Sequence, residues 1–207
     1  MHIDAERKVV LGAMGVIFLG FLTGLYYRRV DHILRTLWTM GLLAFLLWLP
    51  EKYPKPSGVL GALASPFYNS GIVAILAVFL ATHVSLVNVP FTNIDLFNVT
   101  FRDVDMISHS LGGLVMWLFI TSIIVELRPN LYRRRVVLYS LLTLLAIGIA
   151  WELAEWIGSH FTETILQETV LNKMRDIVME QLGALVGLWM VLKRDYPLSL
   201  GDSSEAS

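Results

Sequence analysis

The chain has 207 residues, of which 56% are hydrophobic and 16% are charged, whereas ordinary soluble domains carry about 25% charged residues. This balance excludes a typical soluble domain and favours membrane helices. The net charge of −1 argues against nucleic acid as a partner, and the absence of cysteine excludes disulfides, thiolate nucleophiles and cysteine-ligated metals.

Six apolar runs are long enough to cross a bilayer, which takes about 20 residues in a helix. They cover residues 9–27, 33–49, 70–89, 105–127, 136–157 and 177–192. Prolines fall between these runs, which supports the division because proline breaks helices. The sequence therefore predicts an all-α, polytopic integral membrane helical bundle with about six transmembrane helices. We expect one domain over residues 1–197, a short interfacial segment at 58–67, and a disordered polar tail at 198–207.

The charges near the span ends predict the orientation of the chain. No small-residue cleavage site precedes the Arg28–Arg29 pair, so the first run is expected to be a retained span. Lysine and arginine are more frequent on the side that holds both termini, largely through Arg133, Arg134 and Arg135. The positive-inside rule therefore predicts a multi-pass protein of the cytoplasmic membrane with both termini in the cytoplasm. The same arginine cluster also fits contacts with anionic lipid.

Three pairs of ionisable residues lie where the last three predicted spans meet one face of the membrane. The pairs are Asp105 with His109, Glu152 with Glu155, and Asp176 with Glu180. Members of each pair are three or four residues apart, so they share a helix face. A charged group at the bilayer centre costs about 2.5–3.5 kcal/mol on insertion scales. We therefore expect these spans to pack together with their polar stripes turned inward.

Glycines continue each polar stripe along its helix. They are Gly112 or Gly113 after His109, Gly148 before Glu152, and Gly183 with Gly187 after Glu180. Small residues let membrane helices approach closely, which supports direct packing of these three spans.

The ligand chemistry of this cluster suits a divalent metal. Imidazole with several carboxylates favours zinc, manganese or iron over calcium, which prefers oxygen alone. The predicted metal ligands are His109, Glu152 and Asp176. The predicted general-base or ligand-supporting groups are Glu155, Asp105 and Glu180. No H-E-x-x-H motif is present, and Glu152-x-x-Glu155 has the spacing of a di-iron motif without its histidine.

Structural roles are the alternative for several of these residues. Asp105 and Asp176 fit helix N-caps as well as they fit metal ligation. A single buried histidine such as His109 is often a hydrogen-bonded packing residue. Acids near a helix C-terminus oppose the helix dipole, so Glu152 and Glu155 give the strongest functional signal.

The order of these motifs resembles a known family. Asp-x3-His-x2-Gly-Gly, then "WELAEW", then "RDIVMEQLGALVG", is similar to the uncharacterised prokaryotic inner-membrane family typified by YjdF. A fainter similarity links it to VanZ-like membrane proteins, some of which are connected with glycopeptide resistance. Those proteins usually carry asparagine where this chain has Glu180. The resemblance covers about residues 100–192. It supports the site and implies no particular reaction.

Three functions fit these observations. The first is a metal-dependent hydrolase that acts on a lipid or lipid-linked substrate. The second is a small proton- or ion-coupled transporter, although the chain shows no inverted repeat and no proline-broken helix near the cluster. The third is a non-catalytic scaffold or resistance-type protein that uses the cluster to join helices. Intramembrane ionisable residues mark functional sites by default, which favours the enzyme.

Overall fold

The computed structural model describes residues 4–87, 102–161 and 170–200, except the side chains of 86–87, 102–105 and 159–161. Over these ranges every regular element is helical, which confirms the predicted all-α class. The helices are α1 (Ala5–Tyr26), α2 (Val30–Lys52), α3 (Gly58–Ala64), α4 (Ser70–Ala81), α5 (Arg102–Leu127), α6 (Arg133–Phe161) and α7 (Val170–Arg194). A 3-10 turn precedes α4, and a π-helical turn at Thr82–Val87 follows it.

Four described helices are long and apolar enough to cross a membrane. They are α1, α2, the Met106–Leu127 part of α5 and the Arg133–Gly158 part of α6. A fifth candidate is the pair Gly58–Tyr68 and Ser70–Ser85, which is bent by 60°. The chain is thus a helical membrane bundle with four or five candidate spans, where the sequence predicts about six. The short segment expected at the interface is part of the bent pair.

The predicted sixth span corresponds to α7. This helix has 25 residues, which is long enough to cross, yet it is not one of the candidate spans. Acidic and basic side chains in its first half, together with Lys193 and Arg194 in its last turn, lower its apolar character. Its first half carries the polar groups of the site described below.

The helix α2 includes a proline, whereas the predicted span at 33–49 ends just before it. Pro50 lies inside α2, which ends at Lys52. Proline has no backbone N–H to donate to the helix. Because Pro50 lies in the last turn of α2, the helix loses one hydrogen bond only two residues before its end. The carboxylate of Glu51 in that turn pairs with the guanidinium of Arg7 at the start of α1.

By its internal contacts the chain divides into two compact units, Met1–Ser108 and His109–Ser207. In the first unit, α1 packs against both α2 and α4. Its buried face includes Gly20 and Gly24. A methyl group on Gly24 would lie 3.1 Å from the His32 ring, so glycine is what allows α1 and α2 to meet this closely.

In the second unit, α6 packs along α7, and α5 crosses α7 at two glycines. A methyl group on Gly183 would collide with the carbonyl oxygen of Ser110, and one on Gly113 would collide with that of Glu180. The backbones of α5 and α7 are therefore in direct contact at these two glycines, where any side chain would keep the helices apart. This contact brings the polar residues of three helices into one place.

Candidate metal centre

Three side chains from three helices converge in the second unit. His109 comes from α5, Glu152 from α6 and Glu180 from α7, and one ligand atom of each lies within 4.8 Å of the others. The Nδ1 atom of His109 lies 3.6 Å from Oε1 of Glu180. The close approach of α5 and α7 sets this distance, because both residues lie one turn or less from the glycines at the crossing.

Two carboxylate oxygens of this group are buried without a hydrogen bond. Glu152 is 4% exposed. Within the described parts of the chain, Oε1 of Glu152 has no hydrogen-bond partner, and neither has Oε2 of Glu180. Leaving a buried acceptor unsatisfied costs about 1–3 kcal/mol, and more if the group is charged. A cation or a proton close to each oxygen would offset this cost.

The types of ligand atom and the separation of His109 from Glu180 fit a divalent transition metal. Zinc binds histidine nitrogen and carboxylate oxygen at about 2.0–2.2 Å, and tetrahedral geometry then separates neighbouring ligand atoms by roughly 3.4 Å. The 3.6 Å separation of His109 and Glu180 already matches this value. Three protein ligands also leave a fourth position open, which is the pattern of catalytic zinc sites.

A glycine on α6 makes room for one of the ligands. A methyl group on Gly148 would collide with Oε2 of Glu180, whereas the rest of that carboxylate lies no closer than 3.6 Å. The clash involves the far end of a flexible side chain and no backbone atom. Gly148 therefore controls where the carboxylate points and leaves the helix contact unaffected.

We expect Gly148→Ala to weaken metal binding by about 10–100-fold, the loss typical of disturbed groups around a metal. The fold should be retained, because alanine is the better helix former by about 1 kcal/mol. Zinc titration of the purified protein measures the affinity, and circular dichroism checks the helices. The matched control is Gly158→Ala on the same helix, since a methyl group there meets nothing within 4 Å. Equal affinity in both variants would contradict the position given to Glu180.

A cation that the sequence motifs do not predict also lies in this site. The Nζ atom of Lys173 lies 3.1 Å from Oε2 of Glu152 and 3.7 Å from Oε2 of Glu155. Its side chain is only 13% exposed. Lys173 stands three residues before Asp176 on α7, so helical spacing places it on the same stripe, and that spacing was the available signal. In the sequence it contributes only to the number of basic residues from which the orientation is predicted.

Asp176, the third predicted ligand, lies outside the converging group. Its side chain is buried, and its Oδ2 accepts a 2.9 Å hydrogen bond from Nδ2 of Asn172. The Nε atom of Arg175 lies 3.9 Å from its Oδ1. Because α7 begins at Val170, Asp176 also lies beyond the first turn and does not cap the helix. Glu180, one turn further along, is the acid of α7 that lies in the converging group.

The other predicted site residues lie around this group. Glu155 is half exposed and close to Lys173. Asp105 lies in α5, and the structure describes its backbone and not its side chain. The structure thus brings together two of the three predicted ligands, His109 and Glu152, and adds Glu180, which had been predicted as a supporting group.

The chain matches the model of a protein family. The matching family model is described as a predicted membrane protein (DUF2238), and it covers residues 8–195. This agrees with the resemblance to an uncharacterised membrane family and extends it from the second half to nearly the whole chain. No curated protein and no solved structure matches.

Proposed function

This chain belongs to the predicted membrane protein family DUF2238, and we propose that it is a metal-dependent hydrolase that acts on a lipid or lipid-linked substrate. One observation carries the proposal. The side chain of Glu152 is buried, its Oε1 has no hydrogen-bond partner among the described residues, and one of its carboxylate oxygens lies within 4.8 Å of ligand atoms of His109 and Glu180. A zinc, manganese or iron ion satisfies these atoms and offsets the repulsion of the two carboxylates.

The surrounding residues supply the other parts of a hydrolytic site. A divalent ion acts as a Lewis acid that lowers the pKa of water and polarises an ester or phosphoryl oxygen. Glu155, half exposed and one helical turn from Glu152, is placed to accept a proton. Lys173 pairs with Glu152 and Glu155 and offsets their negative charge beside the proposed metal.

The surface near the site supports a lipid substrate. Trp151, Leu153 and Trp156 flank the two glutamates on α6, and each has about half of its surface exposed. Tryptophan is enriched where membrane helices leave the hydrocarbon region. With both termini in the cytoplasm, as the charges predict, this end of α6 faces the outer leaflet. A lipid headgroup in that leaflet then reaches the site without leaving the membrane.

Metal content tests the first step of the proposal. The detergent-purified protein is loaded with zinc, manganese or iron, washed, and analysed by mass spectrometry beside four variants. We expect near-stoichiometric metal in the wild type and its loss in His109→Ala, Glu152→Gln and Glu180→Gln. Asp176→Asn should retain the metal, because its carboxylate bonds to Asn172.

Two outcomes would overturn the proposal. If the wild type holds no metal above background after loading, the metal centre is wrong, and Glu152 and Glu180 are better explained as a proton-binding pair of a transporter. If metal binds but a panel of ester and phosphate lipids remains uncleaved, the hydrolase is wrong and metal binding stands. In the second assay Glu155→Gln should lower kcat by about 10²–10⁴-fold while metal content is unchanged.

A further inference from the structure

A crevice of about 390 Å³ lies in the second unit between the first turns of α6 and the last turns of α7. Its lining combines two guanidinium groups with three aliphatic side chains. The lining residues are Arg133, Arg134, Val137, Leu188 and Leu192. This combination occurs at the end of α6 that lies away from the candidate metal centre.

The electrostatics of the crevice favour an anion. Arg133 is half buried and Arg134 is exposed, and the described lining contains no acidic residue to neutralise them. The first turn of α6 also contains no acid. The dipole of α6 adds positive potential at the same end. Guanidinium groups bind phosphate through paired hydrogen bonds, which makes phosphate the fitting anion.

The apolar part of the crevice specifies the rest of the ligand. Val137 comes from the second turn of α6, while Leu188 and Leu192 are four residues apart on one face of α7. A soluble phosphate would leave these aliphatic side chains without a partner, and a neutral lipid would leave the two arginines without an anion. We propose that this crevice binds an anionic phospholipid, with the phosphate at Arg133 and Arg134 and an acyl chain along the aliphatic residues.

The neighbouring arginine provides a matched control. Arg135 is exposed, is not part of the crevice lining, and stacks its guanidinium over the Tyr132 ring at 5.8 Å. It has the same charge as its two neighbours and lies at the same depth. A general attraction between basic residues and an anionic membrane involves all three arginines equally, whereas a specific site involves two.

The test is lipid retention by the detergent-solubilised full chain, titrated with phosphatidylglycerol or phosphatidylcholine and observed by native mass spectrometry. We expect clear preference for phosphatidylglycerol in the wild type. A basic residue near an anionic lipid surface contributes about fivefold in affinity. Arg133→Gln and Arg134→Gln should therefore each lose about fivefold, and the double variant roughly 25-fold, while Arg135→Gln stays within twofold.

A second variant tests the apolar part without altering charge. Leu188→Trp fills the crevice and should weaken phosphatidylglycerol retention by at least fivefold, with helical circular dichroism unchanged. Equal losses in the Arg135 and Arg133 variants would overturn the specific site in favour of general charge attraction. A silent Leu188 variant, or displacement of the lipid by millimolar inorganic phosphate, would show a simple anion site and overturn the lipid. Retention of phosphatidylcholine as strong as that of phosphatidylglycerol would show a lipid site without charge selectivity and overturn the preference for an anionic headgroup.

The crevice and the metal centre are separable in this experiment. Arg133 and Glu152 lie on the same helix, and the rise of 1.5 Å per residue puts them roughly 28 Å apart along its axis. His109→Ala and Glu152→Gln should therefore leave phosphatidylglycerol retention unchanged. The inference does not depend on the proposed hydrolase, and either can fail alone.

Discussion

Replacing Lys173 by methionine is expected to destabilise the metal-free protein by about 3–5 kcal/mol, the usual cost of removing one partner from a buried ion pair. The Nζ atom of Lys173 lies 3.1 Å from a Glu152 side chain that is only 5% exposed. Without the lysine, this carboxylate has to be neutralised by a proton or remain as a buried charge. Thermal unfolding in detergent after treatment with a chelator measures the loss.

Two controls separate the ion pair from the packing of the lysine chain. In the double variant Lys173→Met with Glu152→Gln, both charges are absent, so most of the stability should return. Saturating zinc should also rescue the single variant, because the ion supplies the missing positive charge. Binding at about 100 times the Kd stabilises a protein by about 2.7 kcal/mol. A Lys173→Met protein as stable as wild type would show that the pair contributes nothing to the fold.

Gly183→Ala should be the most damaging small substitution in the second unit. Its methyl group would collide with the Ser110 carbonyl oxygen and lie 2.9 Å from the backbone nitrogen of Leu114. Backbone atoms within a helix cannot turn aside as a side chain does, so α5 and α7 have to separate. Overpacking costs about 1–3 kcal/mol and occasionally more. We expect a loss at the upper end of that range, together with loss of metal binding, because His109 and Glu180 move apart.

The comparison variant is Gly158→Ala, where the added methyl group has open space and should be neutral or slightly stabilising. Unfolding midpoints and zinc affinity of the two variants are measured side by side. If Gly183→Ala retains both stability and metal, the direct backbone contact of α5 with α7 is incorrect. Retained metal with lowered stability would contradict the link between this contact and the site.

The sequence supports the membrane class and the place of the site, because both rest on local patterns. Long apolar runs predict helices that cross a bilayer, and alternating spans bring three chain segments to one face. Helical spacing then puts each ionisable pair on one stripe. These arguments predicted His109 and Glu152 as neighbours, and they included Glu180 in the cluster.

The choice between Asp176 and Glu180 could not be made from the sequence. The two residues are one turn apart on the same face of α7, and both are acids. What decides between them is how far α7 is shifted along α5, which depends on the contact at Gly113 and Gly183. Asn172 then bonds to the other acid. Spacing alone determines a shared helix face and contains no information about the relative shift of two helices.

The role of Lys173 was missed for a related reason. In the sequence this lysine has the appearance of a residue at a span end that marks orientation. Only the folded chain shows that its ammonium group points back to two glutamates on α6. Likewise, hydrophobic periodicity does not report the 60° bend before the third predicted span, where Asn69 caps α4 by accepting a hydrogen bond from the backbone nitrogen of Ile72.

The length of α6 has a mechanical consequence for the site. Its 29 residues extend over about 43 Å, whereas the hydrocarbon core of a bilayer is about 30 Å thick. A helix this long has to tilt or project from the membrane, and the balance between the two depends on the thickness of the surrounding lipid. Glu152 lies near the depth where hydrocarbon ends if Arg133 is held at the other interface. We therefore expect thicker membranes to draw this glutamate toward the hydrocarbon and thinner membranes to bring it toward water, which changes the hydration of the site.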